Sequence, residues 1–126
     1  KEKQKLVNQI ETLGLQNRVI LYGFAKNVYP IFKKANLCVV SSRIEGFPNV
    51  LLQMMSQNNA IVSTLCAGEI ANIKGIFTCE NNDVASLKDA MEKGLNNNKN
   101  NQLIFKDYLK SRSIDTFVNS ILKKIN

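Results

Sequence analysis

Hydrophobic residues form two kinds of pattern along the chain, spaced apolar positions and short continuous apolar runs. Leu6, Val7 and Ile10 recur at helical spacing, and Gly14 ends this first helix. Runs without alternating polarity are typical of buried strands and occur at residues 18–22, 37–40, 60–63 and, more weakly, 76–79. Apolar spacing predicts further helices that begin near Asn27, near Pro48 or Asn49, and near Asp83. It also predicts one or two terminal helices between Phe105 and Leu122, with Phe117 on the apolar face.

The order of these elements predicts the fold class. Apolar strands separated by helices form parallel sheets that are covered by helices on both faces. The sequence therefore predicts an α/β fold with a doubly wound parallel sheet. Its 126 residues are enough for one domain. The asparagine-rich run at residues 96–101 predicts an exposed loop.

The cysteine and histidine content limits the kinds of active site and metal site that the chain can form. The chain has three cysteines, Cys38, Cys66 and Cys79, in no CxxC spacing, and it has no histidine. We interpret the cysteines as buried reduced thiols of a cytoplasmic protein. A structural metal site is hard to assemble from these residues, and triads that use histidine are excluded. Catalysis must rely on carboxylates, backbone dipoles or basic side chains.

The net charge of +7 indicates an anionic partner: nucleic acid, the phosphates of a sugar nucleotide, or an anionic membrane surface. The basic residues are dispersed, however, and tryptophan is absent, so stacking platforms for single strands are scarce. A solvated basic surface is the alternative explanation. No apolar run reaches the roughly 18 residues of a membrane span.

In an open parallel sheet, ligands bind outside the carboxyl ends of the strands. The loops predicted there comprise residues 23–26, 41–49 and 64–69, and their acidic residues are Glu45 and Glu69. Glu45 precedes the turn Gly46-Phe47-Pro48, which presents backbone N–H groups at a helix start and suits a diphosphate. The carboxylate suits sugar hydroxyls or a developing oxocarbenium ion. The alternative is that Glu45 complements the helix dipole.

The stretch around Glu45 carries a more specific signal. Residues 41–55 read Ser-Ser-Arg-Ile-Glu-Gly-Phe-Pro-Asn-Val-Leu-Leu-Gln-Met-Met. This run resembles the signature of the group 1 (family 4) retaining glycosyltransferases, Ser-x-x-x-Glu-Gly-Phe-Pro-x-x-x-x-Glu-Ala-Met. In that family the signature leads into a Gly-x-Pro-Val-Val strand and a glycine-rich turn, which residues 58–64 and 66–70 match. The resemblance covers roughly residues 5–92 and implies the C-terminal, donor-binding domain of a GT-B fold, which is Rossmann-like.

The resemblance implies a role for each matching residue. Glu45 corresponds to the first Glu of the family's pair, the catalytic position near the reacting carbon of the donor sugar. The turn Gly46-Phe47-Pro48 is expected to face the sugar and phosphates, and the diphosphate is expected at the helix start. The remaining expected donor-binding residues are Asn49, Val50, Leu51, Gln53, Gly68 and Glu69. Neither a metal nor a cofactor besides the nucleotide-sugar donor is implied.

Three departures from the family pattern stand out. Gln53 replaces the second Glu, which binds the nucleotide ribose, and a neutral amide forms hydrogen bonds about half as strong as charge-assisted ones. Asn58 replaces a Gly after the helix, where Asn is the next-best residue for a left-handed cap. Ala60 replaces a Pro at strand entry. Because of Gln53, a non-catalytic sugar-nucleotide-binding module is an alternative to the enzyme. A nucleic-acid-binding domain is a further alternative, supported by the net charge alone.

The resemblance also predicts the domain organisation. The chain starts at Lys1, within the helix that follows the family's first strand–helix units, so those strands and the N-terminal acceptor domain are expected outside it. We therefore expect turnover from a longer protein and not from these residues alone. The expected partners are a nucleotide-sugar donor, the N-terminal domain and an acceptor lipid, glycan or protein in bacterial glycan or polysaccharide synthesis, without nucleic acid. The expected location is cytoplasmic, with the anionic membrane face as a further candidate partner.

Overall fold

The computed structural model describes residues 1–125, apart from the side chains of residues 117, 120, 124 and 125. Phe117, predicted on an apolar helix face, thus has its side chain outside the described residues. The elements within this range follow in the order α1 Glu2–Thr12, α2 Tyr29–Lys34, β1 Cys38–Val40, α3 Asn49–Gln57, β2 Ile61–Thr64, a 3₁₀ turn Ile70–Asn72, β3 Phe77–Cys79, α4 Val84–Leu95, α5 Gln102–Ser111 and α6 Ile114–Ile125.

The three strands form one parallel sheet in the order β1-β2-β3. Side chains alternate along each strand, so the sheet presents apolar side chains on both faces. Helices cover both faces. On one face, Cys38 and Ile61 pack with Leu51 of α3 and Phe105 of α5. On the other face, Val62 packs with residues of α4. The predicted α/β fold with a parallel, doubly covered sheet is confirmed.

Two helix ends follow the signals in the sequence. Gly14 takes φ +65°, and the Leu15 amide donates to the Ile10 carbonyl at 2.9 Å, which closes α1 as predicted. The Asp83 carboxylate accepts from the Ser86 amide at 2.9 Å and caps α4. Both ends are decided locally, by residues within one turn of the helix terminus.

The predicted strand at residues 18–22 is wrong. These residues form a turn and an irregular segment, and Ile20 and Tyr22 are 81% and 70% exposed. A strand is stable only when a neighbour shares its backbone hydrogen bonds. Among the described residues this segment pairs with none of the three strands, and the Arg18 and Val19 N–H groups donate locally to the Leu15 carbonyl. An apolar run by itself therefore does not establish a strand, because the run must also pair with a sheet edge.

Asn58 does not form the predicted left-handed cap, because its backbone is extended at φ −130° and ψ 154°. Its side chain is buried and makes three hydrogen bonds instead. The amide nitrogen donates to the carbonyls of Phe32 and Ala35, both at 2.7 Å, and the amide oxygen accepts from the Ala60 N–H at 2.9 Å. These bonds join the end of α2 to the entry of β2.

The asparagine-rich segment is also less exposed than predicted. Its middle, residues 98–100, is exposed, but Asn101 is buried at the start of α5. The Asn101 N–H donates to the Asn59 side-chain oxygen, and its own amide nitrogen donates to the Gly75 carbonyl at 3.1 Å. Asn101 therefore fixes the start of α5 to the segments that precede β2 and β3, which composition alone does not reveal.

The three cysteines are buried and free, as predicted. Burial raises the pKa of the Cys38 thiol. Burial is also the main cause that raises the pKa of Cys79, and the nearby carboxylates of Glu80 and Asp83 raise it further. Both thiols therefore stay protonated at neutral pH and serve as small apolar side chains.

Candidate functional site

Two loops meet at the carboxyl edge of the sheet. The first loop, residues 41–48, connects β1 to α3, and the second loop, residues 65–69, connects β2 to the 3₁₀ turn. Because β1 and β2 are adjacent and parallel, both loops leave the sheet side by side. The predicted site residues other than Asn49, Val50, Leu51 and Gln53, which belong to α3, lie on these loops.

Two hydrogen bonds join the first loop to β2 and the second loop. The buried Thr64 hydroxyl donates to the Ser42 carbonyl at 2.6 Å, at the end of β2. The Glu45 N–H donates to the Cys66 carbonyl at 2.8 Å. The loop that carries Glu45 therefore touches the loop that carries Glu69, as expected from their positions after neighbouring strands.

The Glu45 side chain is exposed at this junction. The Ser42 hydroxyl donates to its Oε1 atom at 2.9 Å, while Oε2 has no hydrogen-bond partner among the described residues. The carboxylate is thus oriented by one neighbour and still able to accept hydrogen bonds from a ligand.

The start of α3 has the features of an anion site. Pro48 occupies the N-cap position without a side-chain cap, and the first turn contains no acidic residue. Asn49 and Val50 are exposed, so their N–H groups add to the positive end of the helix dipole. The Leu51 N–H is less available to an anion, because it donates to the Pro48 carbonyl at 2.9 Å. The Leu51 side chain lies in the core.

Gly46 and Gly68 adjoin open space. A Cβ atom built on either residue would meet no atom within 4 Å, and neither glycine has a positive φ. The local backbone therefore does not require glycine at either position. Glycine also serves where a ligand approaches the main chain closely, and the free space on both loops is compatible with that use.

Gln53 lies one turn into α3. Residues four apart share a helix face, so Gln53 shares the face of Asn49 at the helix start. Its side chain is half-buried and forms no hydrogen bond with the described residues. The Gln53 amide is accordingly available to a ligand that extends from the helix start along this face.

A cluster that the sequence did not predict makes a further connection between the two loops. Arg112, directly after α5, donates to the Glu69 carboxylate at 2.7 Å, and its guanidinium carbon lies 4.3 Å from the centre of the Phe47 ring. The same nitrogen lies 3.2 Å from the Tyr108 hydroxyl. The hydrogen bond with Glu69 is the main cause that raises the pKa of Arg112 above its ordinary value. No motif marks Arg112, which follows Glu69 by 43 residues.

The sheet edge also carries a cavity of about 320 Å³ beside the first loop, lined by Ser41, Arg43, Thr64, Glu80 and Asp83 among others. Charges of both signs line it, so it shows no bias towards anions. Within residues 1–125, no group of three or more His, Cys, Asp or Glu side chains is arranged to hold a metal ion. No helix in the same range has the length and hydrophobicity needed to cross a membrane.

Comparison with known proteins identifies the family. The family model described as "Glycosyl transferases group 1" matches residues 1–97, which include both loops and α3. The chain belongs to the group 1 glycosyltransferases. This finding confirms the resemblance that rests on the run around Glu45.

Curated relatives of this glycosyltransferase chain match over shorter stretches. An uncharacterized glycosyltransferase of Methanocaldococcus jannaschii is 42% identical over 64 residues, 51% of this chain and 16% of the relative. A Campylobacter jejuni enzyme, N-acetylgalactosamine-N,N'-diacetylbacillosaminyl-diphospho-undecaprenol 4-alpha-N-acetylgalactosaminyltransferase, is 36% identical over 62 residues, 49% of this chain and 17% of the relative. A Vi polysaccharide biosynthesis protein of Salmonella typhi is 33% identical over 58 residues, 46% of this chain and 10% of the relative.

The fold of this glycosyltransferase chain also has a solved counterpart. Sucrose-phosphate synthase from Thermosynechococcus elongatus superposes with a TM-score of 0.76 over 98% of this chain and 34% of its own. At 16% identity the similarity concerns the fold alone, which is that of part of a GT-B glycosyltransferase. The match spans about a third of that structure, and the curated matches span less than a fifth of each relative.

Proposed function

We propose that these residues form the donor-binding part of a retaining glycosyltransferase that uses a nucleotide-activated sugar. The observation that carries this proposal is the hydrogen bond from the Glu45 N–H to the Cys66 carbonyl. It joins a carboxylate, an uncapped helix start and a second glycine-containing loop at one edge of the sheet. Few ligands need all three features, and a sugar linked to a diphosphate is one of them.

Each part of a nucleotide sugar has a matching group in this arrangement. The diphosphate suits the N–H groups at the start of α3, where no acidic residue opposes it. The sugar carries developing positive charge at its reacting carbon, and the exposed Glu45 carboxylate can stabilise that charge. The open space beside Gly46 and Gly68 lets a ligand reach the main chain. We place the nucleotide ribose near Gln53, one turn along the same helix.

The acceptor is proposed from the relatives. The name of the Campylobacter jejuni enzyme specifies a sugar on diphospho-undecaprenol, and that of the Salmonella typhi protein specifies polysaccharide biosynthesis. We propose an acceptor of the same class for this protein, a lipid-linked or polymeric glycan, handled at the cytoplasmic face of a membrane. The net charge of +7 favours such an anionic surface. The acceptor domain is proposed to precede residue 1 in the complete protein.

A panel of nucleotide sugars tests the proposal on the complete protein. We expect release of the nucleoside diphosphate with one donor, and NMR of the product should show the anomeric configuration of the donor retained. Product of inverted configuration would contradict the retaining mechanism. Absence of both binding and turnover across the panel would contradict the proposed function as a whole.

A second candidate is a non-catalytic module that binds a nucleotide sugar without transferring it. The observation that favours it is Gln53, a neutral residue where the family pattern has its second Glu. A turnover assay beside calorimetry separates the two functions, because the module binds a nucleotide sugar but shows no turnover at any protein concentration. An enzyme shows both.

The Gln53→Glu variant sharpens the placement of the ribose. A carboxylate accepts stronger hydrogen bonds from ribose hydroxyls than an amide does, so nucleotide binding should tighten by about 1 kcal/mol, roughly fivefold. Gln57→Glu, the same change one turn further along α3, is the matched control and should leave the affinity unchanged. Equal affinities in all three proteins would remove Gln53 from the site.

A further inference from the structure

Arg112 contacts both site loops at once, although it follows α5 and lies far from them in the sequence. Its Nη1 atom donates to the Glu69 carboxylate of the second loop at 2.7 Å. Its guanidinium carbon lies over the Phe47 ring of the first loop, 4.3 Å from the ring centre. Within the described residues, these contacts link the loops at a point separate from the Glu45–Cys66 backbone hydrogen bond.

Helix α5, which directly precedes Arg112, is anchored in the core. At its start, Asn101 is buried and bonded to Asn59 and to the Gly75 carbonyl. One turn later, Phe105 is fully buried against the core, and the helix packs along α3. Tyr108 then supplies its hydroxyl to Arg112 from the next turn. The position of the guanidinium is therefore set by a helix anchored in the core and by two partners on the loops.

The two residues that Arg112 contacts stand next to the proposed chemistry. Phe47 follows Glu45 by two residues and lies just before the start of α3. Glu69 follows Gly68, on the loop whose Cys66 carbonyl accepts from the Glu45 amide. A shift of Phe47 would therefore move Glu45 relative to the start of α3, and a shift of the Glu69 loop would act on Glu45 through that backbone hydrogen bond.

We propose that Arg112 is a positioning residue that holds the Phe47 turn against the Glu69 loop and so fixes the Glu45 carboxylate relative to the start of α3. This rests on the proposed function for its catalytic consequence, but its structural part stands by itself. Arg112 acts through Phe47 and Glu69 and does not touch the donor. The exposed Arg112–Glu69 pair contributes little to stability, since solvent screens it, so its role is geometric.

The shape of the side chain matters as much as its charge. A guanidinium is planar, stacks on an aromatic ring and donates in two directions at once. An ammonium is a compact charge on a flexible stem and cannot stack on Phe47 while it bonds to Glu69 in the same geometry. Arg112→Lys therefore keeps the charge but should not restore the position of the loops.

The first test needs no activity. In the complete protein with Arg112→Gln, amide hydrogen exchange of Glu45 should become about tenfold faster, because the loops separate more often. Exchange of the Leu65 amide should stay the same, because its bond to the Cys79 carbonyl ties the first residue of the second loop to β3. Lys110→Gln removes an exposed charge two residues away and is the matched control. Unchanged Glu45 exchange in Arg112→Gln would overturn the proposal, whether or not the protein transfers sugar.

The second test separates positioning from binding. With Arg112→Gln, kcat should fall about tenfold, as expected for a small displacement of a catalytic group, while the donor KM changes less than about twofold. Arg112→Lys should resemble Arg112→Gln, and Lys110→Gln should resemble the wild type. Full rescue by Lys would reduce the role to charge, and a rise in KM alone would make Arg112 a donor-binding residue; either result overturns the proposal. If the wild type transfers no sugar, the proposed function fails and hydrogen exchange alone decides the role of Arg112.

Discussion

Glu45 and Glu69 each follow a strand of the same parallel sheet. Each also precedes a helical segment, which is α3 for Glu45 and the 3₁₀ turn for Glu69. Their loops are joined through the Glu45 N–H and the Cys66 carbonyl. The carboxylates nevertheless have different surroundings. Glu45 accepts one hydrogen bond from the neighbouring Ser42, whereas Glu69 is paired with Arg112 from a distant helix.

The difference in surroundings distinguishes two glutamates that the family resemblance assigned to the same donor site. A carboxylate paired with a guanidinium already has a cationic partner and is less available to a ligand. A carboxylate held only by a neighbouring hydroxyl is oriented but still free to meet positive charge. This contrast supports the proposal that Glu45 carries the chemistry and that Glu69 aligns the loops together with Arg112. The comparison can be tested by substituting the two glutamates and the side chains that hold their loops in place.

The largest effect should come from the charge of Glu45. In the complete protein, Glu45→Gln should lower kcat by about 10²-fold or more with a modest change in donor affinity, because the carboxylate acts mainly in the transition state. Glu69→Gln, the same change on the second loop, should lower kcat by less than about tenfold, since it only loosens the alignment. Steady-state kinetics of both variants measure the contrast. Equal losses would show that the two glutamates share one role.

A smaller effect should come from the hydrogen bond beneath the first loop. Thr64→Val keeps the shape of the side chain but leaves the Ser42 carbonyl without its buried donor, so the free energy of unfolding should fall by about 1–2 kcal/mol. Thr78→Val makes the same change on the exposed side of β3 and should be nearly neutral. Urea denaturation of both variants provides the measurement. A neutral Thr64→Val would mean that the first loop does not depend on β2 for its position.

The smallest effect should come from the hydroxyl that orients Glu45. Ser42→Ala removes the 2.9 Å hydrogen bond to Oε1, which should lower kcat by about threefold to tenfold, the equivalent of roughly 1 kcal/mol. Ser41→Ala is the control, because Ser41 is exposed and donates no hydrogen bond to the described residues. A kcat unchanged in Ser42→Ala would show that Glu45 is oriented by the donor itself.

Local patterns predicted much of this molecule. The apolar runs at 37–40, 60–63 and 76–79 became strands because each has a neighbour within the sheet. Gly14 and Asp83 ended and began helices through bonds confined to one turn. The meeting of the Glu45 and Glu69 loops also followed from order alone, since adjacent parallel strands deliver their loops to one edge.

Other features depended on residues far apart in the sequence. The run at 18–22 is as apolar as the real strands, but a strand also needs a partner, and the run does not encode one. Asn58 and Asn101 read as loop and cap residues, yet both are buried because distant carbonyls accept from them. Arg112 follows Glu69 by 43 residues, and the packing of α5 against α3 brings its guanidinium to both loops. Periodicity and motifs record what a residue does with its neighbours in the chain, whereas a hydrogen bond across the fold exists only after packing has brought its two ends together.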